Sequence, residues 1–337
     1  MRRVGNLKET FLSFENIYSG YKKAFKATKN YSACEFTFNL EKELFLLKEE
    51  LSSSEYIPRD YRYFTIQEPK EREISVADFR DRVVHHSLVN ILEPIYEKRF
   101  IYDSYATRKG KGTHRAISKA QQCMKANRWY LKMDVRKYFD SINHETLNGI
   151  ISRSIKDPFI LNLCAVIISK GGDGCTGLPI GNLTSQFFAN VYLDIFDHFI
   201  KDRLRIKYYV RYMDDFCVFS DDKQYLKDIR EKVTEFLSDT LRLDIKKEAT
   251  LLNNRLHGLS FLGVRVFPNL IRCKRENFNR SFKKLKTREW EYQNGFINYE
   301  IYSSSLQSLT AHLTHYGNSL LKSRLYTGTV SKAGLTA

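Results

Sequence analysis

Two carboxylates stand side by side in the stretch Tyr212-Met213-Asp214-Asp215, flanked by β-branched and aromatic runs at Tyr208 to Arg211 and Phe216 to Phe219. The runs read as the arms of a buried hairpin with the acids at its tip. Ionised carboxylates crowded together and partly withdrawn from water repel one another, and such burial is tolerated mainly when they are paired or bind a cation. A divalent metal is the simplest explanation. Nucleotidyl transfer by two metals needs such a cluster, because the ions must hold an attacking 3′-oxygen, a triphosphate and several protein oxygens together. A third carboxylate is then required elsewhere. Asp134 supplies it, at the end of the apolar strand Trp129-Tyr130-Leu131-Lys132-Met133, where an active-site acid is usually presented.

The rest of the composition suits a polyanionic partner. The chain has 337 residues, 42% of them apolar, which is enough for a substantial core and two or three cooperating domains. Its net charge is +16, with 21 Tyr and 23 Phe interleaved among the basic residues, a combination that fits nucleic acid with its phosphates and stackable bases. The longest apolar run, Ile160 to Ile168, is interrupted by Asn162, so no membrane span is expected, and the N-terminus lacks the apolar region of a signal peptide. Six cysteines without a C-x-x-C pair read as reduced core residues of a cytosolic protein.

Residues 1 to 55 read as helical, with Leu40, Leu44, Leu47 and Leu51 at spacings of three and four. Extended chain follows from Pro58 to Pro69. An amphipathic helix from Asp78 to Glu97 carries His85-His86, whose side chains point about 100° apart on a helix and have no evident carboxylate partner, so they read as structure or substrate packing rather than ligands. The loop Arg108-Lys109-Gly110-Lys111-Gly112-Thr113 is basic and suited to phosphate contacts, but lacks the spacing of a P-loop. Helices are expected at 145–155 and 158–169, then a Gly-rich loop, then one long helix capped by Thr184 or Ser185 with Phe188, Val191, Tyr192, Ile195, Phe196 and Phe199 on its apolar face. A helix over 222–240 and a strand at Leu243 to Ile245 complete a β-α-β-β-α-β order, giving an antiparallel sheet backed by helices. A second hairpin is expected at Leu259 to Arg272, turning at Pro268-Asn269. Beyond it, 272–288 holds eight basic residues against Glu276, which favours a helix lying on a sugar-phosphate backbone.

In this order, Asp134 with Phe139-Asp140, Leu178-Pro179-x-Gly181-x-x-x-Ser185, Tyr212-Met213-Asp214-Asp215 and Phe261-Leu262-Gly263 resemble the successive palm motifs of reverse transcriptases, over about residues 56 to 320. Within that family the chain looks most like the polymerases of diversity-generating retroelements. The signs are Ile180-Gly181-Asn182-Leu183-Thr184-Ser185-Gln186, where other branches tend to have Gln-Gly and Ser-Pro, and Phe79-Arg80-Asp81-Arg82-Val83-Val84-His85-His86 upstream. The resemblance implies an α+β right-hand polymerase. Its parts would be an N-terminal helical extension (1–55), fingers (56–130), a first palm segment (131–150), a connection (151–183), the palm with its catalytic and primer-grip-like hairpins (184–271), a helical thumb (272–325) and a disordered tail (326–337). The maturase, DNA-binding and endonuclease domains of many group II intron proteins are not expected after the thumb.

The resemblance also implies roles. Asp134, the Val135 backbone, Asp214 and Asp215 would hold two Mg²⁺ ions, with Mn²⁺ as a substitute. Lys70 and Arg72 match finger positions that grip a triphosphate, and Phe139 matches the ring that blocks a 2′-hydroxyl. Ile180, Gly181 and Gln186 would lie at the nucleotide. Arg108, Lys109, Lys111, Tyr212, Met213, Gly263, Lys274, Arg275, Lys283 and Lys284 would contact nucleic acid, and Lys246 or Lys247 would protonate the departing pyrophosphate. Many relatives carry Gln where Ile180 stands, and an apolar side chain there is expected to weaken discrimination at the nascent pair. The implied activity is copying of an RNA template from a DNA or RNA primer with deoxynucleoside triphosphates, error-prone at template adenines. A small basic accessory protein is the implied partner, in the cytoplasm of a bacterium or archaeon or encoded by a phage. The alternatives are a retron, stand-alone intron-derived or antiphage-defence reverse transcriptase without that bias, and, from another class, a non-catalytic nucleic-acid-binding module.

Overall fold

A computed structural model describes residues 3–26, 30–67 and 71–316, with side chains to 309. Lys70 and the expected tail lie outside the described residues. The apolar periodicity near the N-terminus is realised as four helices, α1 (Lys8–Leu12), α2 (Phe14–Lys26), α3 (Tyr31–Phe38) and α4 (Leu40–Ser52). A hairpin of β1 (Arg62–Ile66) and β2 (Arg72–Val76) precedes α5 (Phe79–Glu97), which Asp78 caps by accepting from the Arg80 N–H at 3.0 Å. Next come α6 (Thr113–Ala126), β3 (Trp129–Asp134), α7 (Tyr138–Ser141), α8 (His144–Ser152), α9 (Pro158–Ser169), α10 (Leu183–Tyr192) and α11 (Asp194–His198), the last running into a π turn at Phe199–Arg203. The carboxylate hairpin is β4 (Tyr209–Tyr212) and β5 (Asp215–Ser220), followed by α12 (Lys223–Leu241) and β6 (Leu251–Asn254). Three short strands, β7 (Leu259–Phe261), β8 (Val264–Val266) and β9 (Ile271–Cys273), lead to α13 (Arg275–Gln293) and α14 (Tyr299–Tyr316). The fold is α+β with antiparallel sheets, as expected.

Several sequence-based expectations are corrected. The residues 243–245 form no strand beyond a single bridge, Val135 with Ile245, and the fourth strand of the sheet ordered β4-β5-β3-β6 is β6 instead. The long helix over 184–199 is broken at Leu193, although its apolar period runs on. Thr184 and Ser185 are buried inside α10 rather than capping it, and Asn182 is the residue before the first turn. The expected hairpin at 259–272 is a three-stranded meander, because Leu262 and Gly263 both take positive φ (47° and 84°) and turn the chain a second time, as two-residue hairpin loops require. Of the cysteines, Cys123, Cys164 and Cys217 are buried, whereas Cys34 and Cys175 are exposed; all are free thiols.

The chain divides into two compact units. One comprises residues up to 112, 132–218 and 227–251, and the other 113–131, 219–226 and 252 onward. In the first unit α2 crosses α5 so closely that a Cβ on Gly20 would lie 2.2 Å from Ser87 Oγ and 2.7 Å from the Val83 carbonyl, so glycine is required there. Phe79 is clamped edge-on by Tyr21 and Phe36. In the second unit α13 carries its basic side chains on a largely exposed surface, with Leu285 buried beneath. Among the described residues no helix is long and apolar enough to cross a membrane.

Asp157 shows how one side chain secures two elements. Its Oδ1 accepts from the Ile160 N–H (3.2 Å) at the start of α9, and its Oδ2 from the N–H groups of Leu7 (2.6 Å) and Lys8 (3.1 Å) at α1. Burial works against the charged form, but bonds from the Leu7, Ile160, Lys8 and Phe159 N–H groups outweigh it and hold the carboxyl below its ordinary value. A folded-state value lower than the unfolded one stabilises above the ordinary carboxylate range, and the contribution is lost as pH falls through the depressed value. Asp157→Ala should cost about 1–3 kcal/mol, seen as a lower urea midpoint at neutral pH, and the gap from the native chain should close in strong acid.

Candidate metal and nucleotide site

β3 ends in Asp134, and the chain beyond it is tied to the segment after α12. The Arg136 N–H donates to the Asp244 carbonyl (2.8 Å) and the Lys246 N–H to the Asp134 carbonyl (2.9 Å). These two bonds flank Val135, so its own carbonyl points away from the bridge with Ile245 and stays out of that ladder. The expected backbone ligand is thus directed away from its neighbouring chain. Lys246 lies beside Asp134 through this bond, while Lys247 is exposed in a single 3₁₀ turn.

The β4–β5 register pairs Tyr212 with Asp215, leaving Met213 and Asp214 as a two-residue turn with Met213 at φ 56°. Burial, followed by the Asp134 charge, pushes the Asp214 carboxyl up to about 7, and the two side chains share a hydrogen bond. Asp215 is differently placed, with its Oδ2 accepting from Lys132 Nζ at 2.9 Å. Burial lowers the Lys132 ammonium, but Asp215 and Asp134 outweigh it and leave its value raised. Among the described residues no three His, Cys, Asp or Glu side chains close around a metal. An open pair of hard oxygen donors at Asp134 and Asp214 nevertheless fits Mg²⁺, which is usually held by one or two carboxylates and completes its shell with waters and substrate phosphates. Of the three carboxylates named from sequence, Asp134 and Asp214 face one another and Asp215 is bonded to Lys132.

The hairpin rests on a buried charge cluster. Arg211, fully buried, donates from Nε to Asp197 Oδ1 (2.7 Å) and from Nη2 to Asp197 Oδ2 (2.5 Å) and Ser104 Oγ (3.1 Å). Its Nη1 donates to Asn190 Oδ1 (3.1 Å) and to the Met213 carbonyl (3.0 Å). The Tyr209 hydroxyl adds a bond to Asp197 Oδ1 at 2.9 Å. Neither Lys132 nor the Arg211–Asp197 pair was anticipated from sequence. The available signal was a basic residue two places before Asp134, and another two before Met213, each inside an otherwise apolar strand.

Around the nucleotide positions, the loop after the Gly-rich segment lies along β2. The Ser75 N–H donates to the Ile180 carbonyl (2.8 Å), and the Ala77 N–H to Asn182 Oδ1 (3.3 Å). Gly181 has φ 119°, and a Cβ there would meet Ile74 Cγ2 at 2.8 Å and the Ser75 carbonyl at 2.9 Å, so both its conformation and its contacts exclude a side chain. A cavity of about 400 Å³ is lined by Phe64, Ile74, His85, His86, Gly181 and Gln186 among others. Burial pushes the two imidazoles down, His85 to about 3 and His86 to about 4, so both are neutral near pH 7 and neither acts as a cation. Ile180 is half-buried and Arg72 is exposed at the start of β2. Phe139 is half-buried on α7, and its carbonyl accepts from the Leu178 N–H (2.8 Å), which ties it to the same loop. Its neighbour Tyr138 takes the core position, donating to the Ala189 carbonyl at 2.5 Å.

Arg108 departs from expectation. Its guanidinium donates to both Glu97 oxygens (3.0–3.2 Å) and to the Ile101 (2.6 Å) and Ser104 (2.9 Å) carbonyls, with 5% of the side chain exposed, so it braces the loop instead of offering a free phosphate contact. Lys111 is engaged at the surface, by the Tyr102 carbonyl (2.8 Å) and its exposed ring, and Lys109 is exposed. Tyr212 is half-buried in β4. In the second unit the Gly263 carbonyl accepts from Asn277 Nδ2 (2.9 Å), Lys274 precedes the first turn of α13, and Arg275, Lys283 and Lys284 are exposed along it.

The profile of the reverse transcriptase (RNA-dependent DNA polymerase) family matches residues 66–266, the segment that contains β3, the β4–β5 hairpin and Ile180. Protein YkfC of Escherichia coli is 26% identical over 270 residues, covering 66% of this chain and 71% of that protein. The group II intron-encoded protein LtrA of Lactococcus lactis is 23% identical over 328 residues, covering 76% of this chain and 54% of LtrA, so the chain spans about half of that relative's length. Among solved structures, apo telomerase from Candida tropicalis aligns with a TM-score of 0.49 at 12% identity, over 67% of this chain and 51% of that one. Telomerase from Candida albicans with a fragment of telomeric RNA aligns at 0.48 and 12%, over 85% and 61%.

Asp134→Asn and Asp214→Asn should each weaken Mn²⁺ binding, followed by the paramagnetic resonance of the free ion, by at least about tenfold. Unchanged Mn²⁺ affinity in both variants would remove these carboxylates as a metal site.

Proposed function

The chain belongs to the reverse transcriptase (RNA-dependent DNA polymerase) family, and from that premise we propose that it extends a primer by copying RNA into DNA. The observation that carries this reading is the meeting of Asp134 and Asp214, one at a strand end and the other on a two-residue turn, inside the matched segment. Asp134, the Val135 carbonyl and Asp214 would hold Mg²⁺, with Asp215 available once released from Lys132. When bound, such ions acidify a primer 3′-hydroxyl and neutralise charge on the triphosphate and leaving pyrophosphate. The remaining chemistry belongs to the chain itself. Arg72, with Lys70, offers positive charge to the phosphates. The half-buried Phe139 ring crowds the sugar where a 2′-hydroxyl would stand, selecting deoxynucleotides. Lys246, whose backbone is bonded to Asp134, or its neighbour Lys247 would give a proton to the departing pyrophosphate. The exposed basic face of α13 is suited to a sugar-phosphate backbone.

The finer reading is mutagenic copying in a diversity-generating retroelement, aided by a small basic accessory protein. It is supported by the sequence Ile180 to Gln186 and by the apolar, half-buried Ile180 beside the rigid Gly181 turn. An aliphatic side chain supplies shape but no hydrogen bond at the pair being formed, and losing such a contact relaxes discrimination by ~10- to 100-fold.

Extension of a DNA primer on a defined, adenine-containing RNA with Mg²⁺ and deoxynucleoside triphosphates, followed by sequencing of the cDNA, tests both levels. The native chain should misincorporate chiefly opposite adenine, and Ile180→Gln should reduce those errors by ~10- to 100-fold. Efficient extension without adenine bias would leave a retron, intron-derived or defence reverse transcriptase. No extension, with or without the accessory protein, would leave a nucleic-acid-binding module.

A further inference from the structure

We propose that Arg211 is a positioning residue for the metal-binding turn. Its Nη1, held in place by Asp197 and Asn190, anchors the Met213 carbonyl and so fixes the left-handed step that presents Asp214. The inference rests on the polymerase reading for its effect on rate, but its geometric basis is independent of that reading.

Arg211 reaches no substrate position: its side chain is wholly buried. Each of its three nitrogens is bonded, Nε to Asp197, Nη2 to Asp197 and Ser104, and Nη1 to Asn190 and Met213. Its backbone is gripped too, the N–H donating to the Asp103 carbonyl (3.0 Å) and the carbonyl accepting from the Tyr105 N–H (3.0 Å). Charge balance alone would be met by Asp197, and the bond to the Met213 carbonyl adds nothing to it. What that bond adds is an orientation for the peptide between Met213 and Asp214. Met213 sits at φ 56°, a conformation a non-glycine residue keeps only when its surroundings over-determine it. Asn190 completes the aim. Its Oδ1 accepts from Nη1, while its Nδ2 is fixed by the Ala106 carbonyl at 2.6 Å, so the guanidinium plane cannot swing away from Met213. A lysine, with three donors on one flexible nitrogen, could neutralise Asp197 but not span Asp197, Asn190 and Met213 in one plane.

The test compares Arg211→Lys, Asn190→Ala and Ser104→Ala with the native chain in primer extension on RNA, measuring kcat, KM for the deoxynucleotide and the Mg²⁺ concentration at half-maximal rate, beside thermal melting. Arg211→Lys and Asn190→Ala should lower kcat by about 10- to 100-fold and raise the Mg²⁺ requirement while leaving KM within about twofold, as expected when reacting groups are misplaced rather than substrate binding lost. Ser104→Ala, which leaves the Met213 bond intact, should change kcat by less than about threefold. If Arg211→Lys does not fold, Asn190→Ala decides. An Asn190→Ala chain that melts earlier but keeps native kcat and Mg²⁺ dependence would reduce the cluster to a structural brace and overturn the proposal. Should the native chain extend no primer, the polymerase reading fails instead, and Mn²⁺ affinity of Asn190→Ala then reads the positioning role directly: weakened affinity in a folded chain upholds it, and unchanged affinity overturns it.

Discussion

A guanidinium and a carboxylate buried without access to water are the constraint on which the site depends. Breaking such a pair by removing one partner costs about 3–5 kcal/mol because the other charge is stranded, whereas a well-packed apolar replacement of both can be neutral. Stability alone therefore does not account for Arg211 and Asp197. Their value is geometric. A bidentate pair tolerates little rotation, and the remaining Arg211 donor contacts reach α10, the 103–105 segment and the backbone of the Met213–Asp214 turn. Asp197 lies on α11, just past the break in what the apolar period reads as one helix, so the interruption stands next to the residue that holds the turn.

A second constraint operates at the loop around Gly181, and it is steric. Ile180, Gly181 and Asn182 are pinned to β2 by the Ser75 and Ala77 N–H groups, and Gly181 approaches Ile74 and Ser75 too closely for any Cβ. The Leu178 N–H binds the same loop to the Phe139 carbonyl. Sugar selection and base discrimination, as proposed for Phe139 and Ile180, would thus be set on one stiff piece of backbone. The charged groups lie elsewhere: Asp214 follows a turn bonded to Arg211, Asp134 sits beside the bridge at Val135, and Lys132 is bonded to Asp215. The loop that carries Ile180 and the turn that carries Asp214 are held by different contacts, so a change at Ile180 need not disturb the carboxylates.

Local patterns in the chain were legible where one face of one element decides the structure. The alternating and 3.6-residue periods located α5, α8, α9, α12, β3 and the β4–β5 hairpin closely, because burial of a single face is encoded in neighbouring residues. Errors arose where the deciding partner is remote. The residues 243–245 carry the composition of a strand but meet only Val135, while β6, rich in asparagine, takes the edge of the sheet. Thr184 and Ser185 have the chemistry of caps, yet Asn182 precedes them and the helix begins at Leu183, sooner than they imply. Leu262 offered no sign of a left-handed turn, since β-propensity ran through it; only the pairing of Phe261 with Val264 demands one.

By itself the sequence determined the inventory of chemistry: which carboxylate ends a strand, which pair stands at a hairpin tip, which helix is basic, and, through the order of its motifs, which family it resembles. These are properties of residue type and short spacing, which the chain carries before it folds. The tertiary structure decided how those groups are engaged. Arg108, from the same basic loop as the exposed Lys109, is turned inward by Glu97 and nearby carbonyls, while Lys111 is held at the surface by Tyr102. Asp215, adjacent to Asp214 and chemically identical to it, is taken by Lys132 while Asp214 faces Asp134. Asp214 lies on the turn and Asp215 at the first position of β5, so the two side chains leave the backbone differently, and what each then meets depends on chain tens of residues away. That is also why Arg211, one unremarked residue in an apolar strand, became visible as the anchor of the turn only once Asp197, Asn190 and Met213 were brought around it.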